Sequence, residues 1–283
     1  MTKPAPDIAR LQDFLARYPR LVVLTGAGVS AASGIPTYRD QDGNWKQSDP
    51  IQHQDFIEQP AARKRYWARS ALGWPKVSQA TPNTAHRALA QLEANGHVEL
   101  LITQNVDRLH QRSGSRRVVD LHGRLDEVNC LDCGATYKRD LIQILLQRNN
   151  PALFNLAVET LPDGDADLAD HYIHNVNVPV CERCAGRLMP NVVFFGGGVP
   201  KSRVKRCMDS VAKADALLSI GSSLQVLSGY RFCRRAHELG KPVVLINPGT
   251  TRADSIAFLK LTSPCAPLLE QLLEPTGYRV LFE

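Results

Sequence analysis

No run of this chain is apolar for long enough to cross a bilayer, which argues against a membrane span. The first twenty residues include Asp7 and Asp13 and no apolar h-region, so they do not read as a secretory signal. No internal repeat is visible, and the acidic stretch 162–170 is too short to count as low complexity. Basic residues are scattered rather than massed. Their one dense cluster, Arg63–Arg69, is interleaved with Tyr66 and Trp67. It reads either as a nucleic-acid patch or as a solvated helix face, and nucleic acid is not the expected partner. A further absence concerns nicotinamide chemistry. A hydride-transferring Rossmann enzyme places an acidic residue at the end of its second strand, about 20 residues past its glycine turn, to hold a ribose. Asp49 has roughly that distance but lies in the polar segment Asp40–Pro50, which is no strand. A dehydrogenase is therefore disfavoured.

The remaining composition is that of a soluble globular protein. The chain has 283 residues, 43% of them hydrophobic and 22% charged, enough for one large core or one large and one small. Its net charge of +6 suits acidic partners or the phosphates of a dinucleotide and does not by itself indicate nucleic acid.

The apolar run Leu21–Thr25 reads as a buried parallel strand, and Gly26, Gly28 and Ala31 follow at GxGxx(G/A) spacing. Glycines directly after a strand let the backbone turn tightly and approach a bulky anion, so a dinucleotide pyrophosphate is the natural ligand. Strand runs recur at 98–102, 118–121, 192–195, 216–220 and 242–246. Helical patterns stand among them: Ile8, Leu11, Phe14, Leu15 and Tyr18; Ala85, Leu89 and Leu92, stopping at Asn95-Gly96; and Val204, Met208, Val211 and Ala212. Such alternation predicts an α/β fold, a Rossmann-like parallel sheet with helices on both faces. Residues 124–190 interrupt it and are expected to form a small inserted zinc-binding module, leaving 1–123 and 191–283 as the dinucleotide-binding domain. Residues 40–80 are a second insertion, rich in aromatics and charge.

Cys130-x-x-Cys133 and Cys181-x-x-Cys184 fit four thiolates around one tetrahedral Zn²⁺. A disulfide pair is the alternative, with nothing marking the chain as secreted. Cys207, Cys233 and Cys265 lack such pairing and read as small buried apolar residues, although the last returns below. Gln104, Asn105 and Asp107 follow the run Val98–Ile102, and His122 follows Val118–Leu121. Open α/β sheets bind their ligands at these strand ends, and a neutral imidazole there is a natural general base.

Taken together, GAGVSAASGIPTYRD, TQNVDRLH, the His122-Gly123 pair, the two knuckles, NVVFFG at 191–196, GSS at 221–223 and INPG at 246–249 resemble the sirtuin family. The resemblance runs from about Leu21 to Cys265. Arg63–Arg69 with Gly73-Trp74-Pro75, Pro162–Asp165 and Gly221–Arg231 are similar to its class II, mitochondrial-type branch.

The resemblance implies an NAD-dependent protein lysine deacylase that releases nicotinamide and O-acyl-ADP-ribose, with NAD as cofactor and one structural Zn²⁺. It implies that the acyl oxygen of a modified lysine displaces nicotinamide and that His122 then takes a proton from a ribose hydroxyl, directly or by relay. Asn105 and Asp107 would form the nicotinamide pocket beside Gln104. Gly26, Ala27 and Gly28 would hold phosphate, and Ser30, Tyr38 and Arg39 would form a loop over the cofactor, with Tyr38 where many relatives carry Phe. Gly221, Ser222, Ser223 and Asn247 would take phosphate or ribose, and Cys265 would stand on the adenine side or simply pack.

Acyl-lysine proteins would be the partners. Their peptide would add as a strand between Phe195-Gly196-Gly197 and Leu224-Gln225-Val226, where Gly197-Gly198 replaces an acidic residue often found after FG. Tyr66 and Arg69, one helical turn apart, resemble a pair that grips acidic acyl groups in another branch, or are a core Tyr and a solvent-facing Arg. Protein mono-ADP-ribosyl transfer on the same scaffold is the alternative activity, and a zinc-dependent binding module is the alternative of another class. A bacterial cytoplasmic location is expected, or the mitochondrial matrix if a transit peptide has been removed.

Overall fold

Leu21–Thr25 (β1) is buried along its whole length, as only an interior strand with covered faces can be. The computed structural model describes residues 6–38, 40, 50–156, 160–161, 165–166 and 168–273, so Arg39, Asp49 and residues 162–164 lie outside it. β1 pairs in parallel with Val98–Thr103 (β2) on one side and with Ala216–Ile220 (β9) on the other. Val118–Asp120 (β3), Val243–Ile246 (β10) and Leu259–Leu261 (β11) complete a six-stranded parallel sheet in the order β11-β10-β9-β1-β2-β3. This is doubly wound order. Chain direction across the sheet reverses between β1 and β9, and the crevice outside their carboxyl ends is where such folds bind ligands.

Within each strand the side chains alternate between two cores. Leu21 and Val23 face the core shared with Asp7–Arg17 (α1), Thr84–Ala94 (α5) and Cys265–Glu270 (α11). Val22 and Leu24 face the core shared with Lys201–Lys213 (α9) and Leu227–Glu238 (α10). The expected helices on both faces are thus present. Cys207 and Cys233 are fully buried in the second core, as read from the sequence.

The expected strand at 192–195 is a correction. The strand there is Leu188–Val192 (β8), and it belongs to a separate three-stranded antiparallel sheet with Gly123–Cys130 (β4) and Thr136–Lys138 (β5). Its apolar run is hydrophobic because it is buried against a second core, which periodicity alone cannot distinguish from the first. The strand β11, which the sequence reading did not identify, forms the edge of the large sheet. The short Ala27–Ser30 (α2) follows β1, and His53–Glu58 (α3) precedes Pro60–Gln79 (α4). Leu109–Arg112 (α6), Arg139–Asn149 (α7), the two-residue strands Thr160–Leu161 (β6) and Asp165–Ala166 (β7), and Asp170–Ile173 (α8) complete the α-helices and strands among the described residues.

α4 comes from the 40–80 insertion, yet it packs on the antiparallel sheet. Trp67, Ala68 and Ala71 share a core with Val128, Ile142, Leu146 and Leu188. Three of the four basic residues of the α4 cluster are held by carbonyls, while Arg65 is exposed. Arg63 donates to the carbonyls of Phe56 and Ile57, Lys64 to that of His174, and Arg69 to that of Ala166. The guanidinium of Arg139, 1% exposed, lies between the rings of Trp67 and Trp74 and donates to Ser70. Burial pushes this arginine down to about 10.

His86 on α5 and His110 on α6 meet as tilted rings with centroids 4.8 Å apart beneath the loop that follows β1. His86 Nδ1 accepts from the Asn83 amide, and His110 Nε2 meets Thr25 Oγ1 at 2.9 Å. Burial pushes His86 down to about 4, with Arg87 adding to it. Burial also pushes His110 well below its ordinary value, with His86 adding to it. Both rings are therefore neutral in the fold, whereas an unfolded imidazole charges near pH 6.5. Below that pH the unfolded chain binds protons that the folded chain refuses, so stability falls as pH falls. Urea denaturation between pH 7 and 4.5 is expected to show this loss, approaching about 1.4 kcal/mol per pH unit for each histidine. A pH-independent midpoint would contradict it.

Candidate active site

At the switch point the loops after β1 and β9 touch. The Gly28 amide donates to the Gly221 carbonyl at 2.8 Å, and the Gly26 amide to that of Ile220 at 3.1 Å. A Cβ at Gly28 would come within 2.8 Å of Gly221 Cα, and one at Gly26 within 2.8 Å of Ser222 Cβ. Glycine is required at both positions by this approach, whatever the ligand. The amides of Ala27, Ser222 and Ser223 have no protein acceptor among the described residues and stand beside the crevice.

The crevice opens into a cavity of about 930 Å³. Gly26, Ala27, Gly28, Tyr38, Gln104, Asn105, His122, Gly221, Ser222, Ser223, Asn247 and Cys265 all line it. Tyr66, Phe195, Gly196 and Val226, expected from the sequence to meet the acyl-lysine peptide, line it too. Residues brought together from widely separated segments of sequence thus share one space.

Several candidates stand elsewhere. Ser30 and Asp107 lie behind the wall. Ser30 donates to Asp107 at 2.7 Å, and Asn105 Nδ2 donates to Ser30 at 3.0 Å. Asp107 also accepts from the Leu109 amide at 2.9 Å, which caps α6. Burial raises the Asp107 carboxyl above its usual range, against these hydrogen bonds. Asp107 therefore braces Asn105 through Ser30. Leu224 is 1% exposed and its side chain is in the sheet core, with φ at +56°. The Phe195 carbonyl already accepts from His53 at 2.7 Å.

Arg69, expected from the sequence either to grip acidic acyl groups or to face solvent, is placed against β7. Its guanidinium is paired with Asp165 at 2.8 Å and donates to the Ala166 carbonyl at 2.9 Å, both on β7. It is absent from the cavity wall, whereas Tyr66, Ser70 and Asp165 are present there. The YxxR spacing was visible in the sequence. The pairing was not, because Asp165 lies far along the chain in the other insertion. Ser70, Asp165, Ser228 and Arg231 are wall residues to which the sequence reading gave no role, although Asp165, Ser228 and Arg231 lie within stretches it likened to the class II branch.

His122 sits where the two sheets meet. Its carbonyl accepts from Val193 at 2.7 Å, and Gly123 pairs with Val192. Gly123 has φ +87°, and a Cβ there would fall 2.1 Å from the Asn191 carbonyl oxygen. His122 Nδ1 is 3.0 Å from the Gln104 carbonyl oxygen. That oxygen can only accept, so Nδ1 carries the proton and Nε2 is the basic nitrogen. Burial pushes His122 down to about 4, against the Gln104 contact, and nearby Arg203 adds to the depression. The ring is neutral at pH 7, as a general base must be.

The four knuckle cysteines converge away from this cavity. Their Sγ atoms lie within 4.8 Å of one another, with Cys130–Cys184 at 3.5 Å and Cys133–Cys181 at 3.6 Å. A disulfide needs about 2.05 Å, so the alternative pairing does not hold. A tetrahedral Zn²⁺ with Zn–S near 2.3 Å has sulfur–sulfur edges of about 3.8 Å, which these separations match. The two knuckles fold alike. The Gly134 amide donates to the Cys130 carbonyl and the Ala185 amide to the Cys181 carbonyl, with Gly134 and Ala185 both at positive φ. Four thiolates close the shell, so the metal would be structural.

The crevice, with its neutral histidine, defines the class: a dinucleotide-dependent α/β enzyme with a separate metal-knuckle module. The model of the Sir2 family matches residues 26–228. The chain belongs to that family. It is 50% identical over 272 residues to an NAD-dependent protein deacetylase of Xanthomonas axonopodis pv. citri (strain 306), covering 96% of this chain and 93% of that one. It is 44% identical over 271 residues to the NAD-dependent protein deacylase Sirt4 of Drosophila melanogaster, covering 95% and 87%. Among solved structures it resembles a Sir2 variant with a deacetylated p53 peptide and 3′-O-acetyl-ADP-ribose, at TM-score 0.77, 30% identity, and 95% and 98% coverage. It also resembles a Sir2 homologue bound to NAD, at TM-score 0.73, 32% identity, and 96% and 94% coverage.

Metal removal tests the knuckles. A strong chelator is expected to strip about one zinc per chain and to melt the antiparallel sheet, because thiolate ligation supplies much of a small module's folding energy. Metal analysis of folded, active protein finding far less than one equivalent would count against the assignment.

Proposed function

We infer that this chain is an NAD-dependent protein lysine deacylase that releases nicotinamide and O-acyl-ADP-ribose. The observation carrying the inference is one cavity. It joins the glycine-lined switch point to His122 and continues past Phe194 to Tyr66, giving room for a dinucleotide and an acyl-lysine end to end. NAD supplies a ribosyl–nicotinamide bond reactive enough for an acyl oxygen to displace nicotinamide.

The chain's own residues do the rest. The free amides of Ala27, Ser222 and Ser223 offer donors to phosphate oxygens. Asn105, 7% exposed and held by Gly26 and Ser30, presents a fixed amide at the strand end. His122 Nε2 receives a proton from a ribose hydroxyl, and the Gln104 carbonyl stabilises the imidazolium that results. Apolar Ile51, Val106, Leu125 and Phe194 line the acyl end and keep water from it.

We assign the same reading to the parts. Residues 1–123 and 191–283 serve as the NAD-binding domain, with the 40–80 insertion, and 124–190 as the zinc-binding module. Acyl-lysine proteins are the partners. Among the described residues no helix is long and apolar enough to cross a membrane, and we take the site of action to be the bacterial cytoplasm. The class II reading finds support in the 44% identity to a protein named Sirt4.

His122→Ala is expected to lower deacylation of acyl-lysine peptides by about 10²-fold or more while NAD still binds. Near-normal turnover would place the base elsewhere, and labelled ADP-ribose appearing on protein with no deacylation of any acyl peptide would favour ADP-ribosyl transfer. Arg69→Met is expected to weaken acetyl and succinyl peptides alike, since Arg69 holds β7 rather than the acyl group. A loss of at least tenfold confined to succinyl would restore the carboxylate grip.

A further inference from the structure

The hydroxyl nearest the basic nitrogen belongs to none of the residues expected from the sequence. Ser228, in the first turn of α10, places its Oγ 2.7 Å from His122 Nε2. Because Nδ1 carries the ring proton, Nε2 can only accept, and Ser228 is the donor. That fixes the direction of its O–H bond. A hydroxyl also has two lone pairs, and no described protein donor reaches those of Ser228. Ser228 lines the same cavity as His122 and as the loops after β1 and β9. It therefore donates inward to the base and is open to accept from whatever fills the cavity.

The position of this hydroxyl is built into the fold. Gly229 follows it, and a Cβ there would fall 2.5 Å from Gln104 Oε1. Glycine lets the first turn of α10 press onto Gln104. The Gln104 carbonyl holds Nδ1 from one side while Ser228 meets Nε2 from the other. The Gln104 side chain donates to Ser222 at 2.8 Å, tying the arrangement to the loop after β9. A base, an oriented hydroxyl and a group fixing the base's tautomer form the geometry in which a hydroxyl exchanges protons with imidazole.

We propose that Ser228 is a catalytic residue that relays the proton from a ribose hydroxyl to His122. The proposal rests on the deacylase reading above. Ser228 Oγ takes the ribose hydroxyl proton as it gives its own to His122 Nε2. The O–H electron pair stays on the ribose oxygen, which forms its new bond to the acyl carbon, and a π pair at that carbon moves onto the lysine nitrogen. Nothing is oxidised or reduced. Ser228 ends neutral and re-protonated, and His122 ends as imidazolium.

The test compares Ser228→Ala and Ser228→Thr with the parent in two reactions of one acyl-lysine peptide and NAD. Exchange of labelled nicotinamide into NAD reports the displacement step, which needs no base. Formation of O-acyl-ADP-ribose reports the step that does. Ser228→Ala is expected to slow product formation by about tenfold or more. Exchange should stay within about twofold, and Ser228→Thr, which keeps the hydroxyl, should recover most of the product rate. Unchanged product formation in Ser228→Ala, or equal losses in both reactions without rescue by Thr, would overturn the relay while leaving the deacylase reading intact. Failure of the parent chain to deacylate any acyl peptide would overturn the deacylase reading and the relay with it.

Discussion

The contact of Gly28 with Gly221 is the constraint on which the rest of the site depends. It brings the loops after β1 and β9 within one hydrogen bond of each other, at the only place in the large sheet where strand order reverses. Any side chain at Gly26 or Gly28 would push those loops apart. Their mutual bonds use the amides of Gly26 and Gly28, the Gly221 amide donates to Ile246, and the neighbouring amides of Ala27, Ser222 and Ser223 are left without a protein acceptor beside the cavity. The loops thus hold each other in place with one set of donors and offer ligand another.

The proposed base, His122, depends on a second junction. His122 and Gly123 connect the parallel sheet to the antiparallel one, and the close approach of Gly123 to Asn191 is tolerated only because Gly123 lacks a side chain. The same junction buries the imidazole and keeps it neutral. Burial costs basicity, and the hydrogen bond from Nδ1 to Gln104 returns part of it by favouring the charged ring. His86 and His110, buried under the loop after β1, have neutrality without exposure to the cavity, so their role is support.

The segments 40–80 and 124–190, read from the sequence as insertions, pack against each other. α4 crosses from the 40–80 segment to pack on β4 and β8, and Arg69 fastens β7 to it. The cavity is therefore walled in part by residues from both segments, Tyr66 and Ser70 from one and Asp165 from the other. An arginine at YxxR spacing has no fixed partner until the second insertion arrives. Here Asp165 pairs with it.

Local physics made much of this legible in advance. Runs of β-branched and aliphatic residues bounded by glycine identified five of the six parallel strands, CxxC spacing identified the thiolate cluster, and strand-end position identified His122, Asn105 and the glycine loops. These signals are legible because each is complete within a few consecutive residues: a period, a turn or a pair of ligands. Tertiary structure alone decided that Leu188–Val192 joins the small sheet, that Asp107 braces Asn105 from behind the wall, that Leu224 turns into the core, that Arg69 meets Asp165, and that Ser228 meets His122 across 106 positions of chain. In every one of these cases the deciding partner is remote in sequence. A residue's chemistry is set by its own side chain, but the group it faces is set by how distant elements pack.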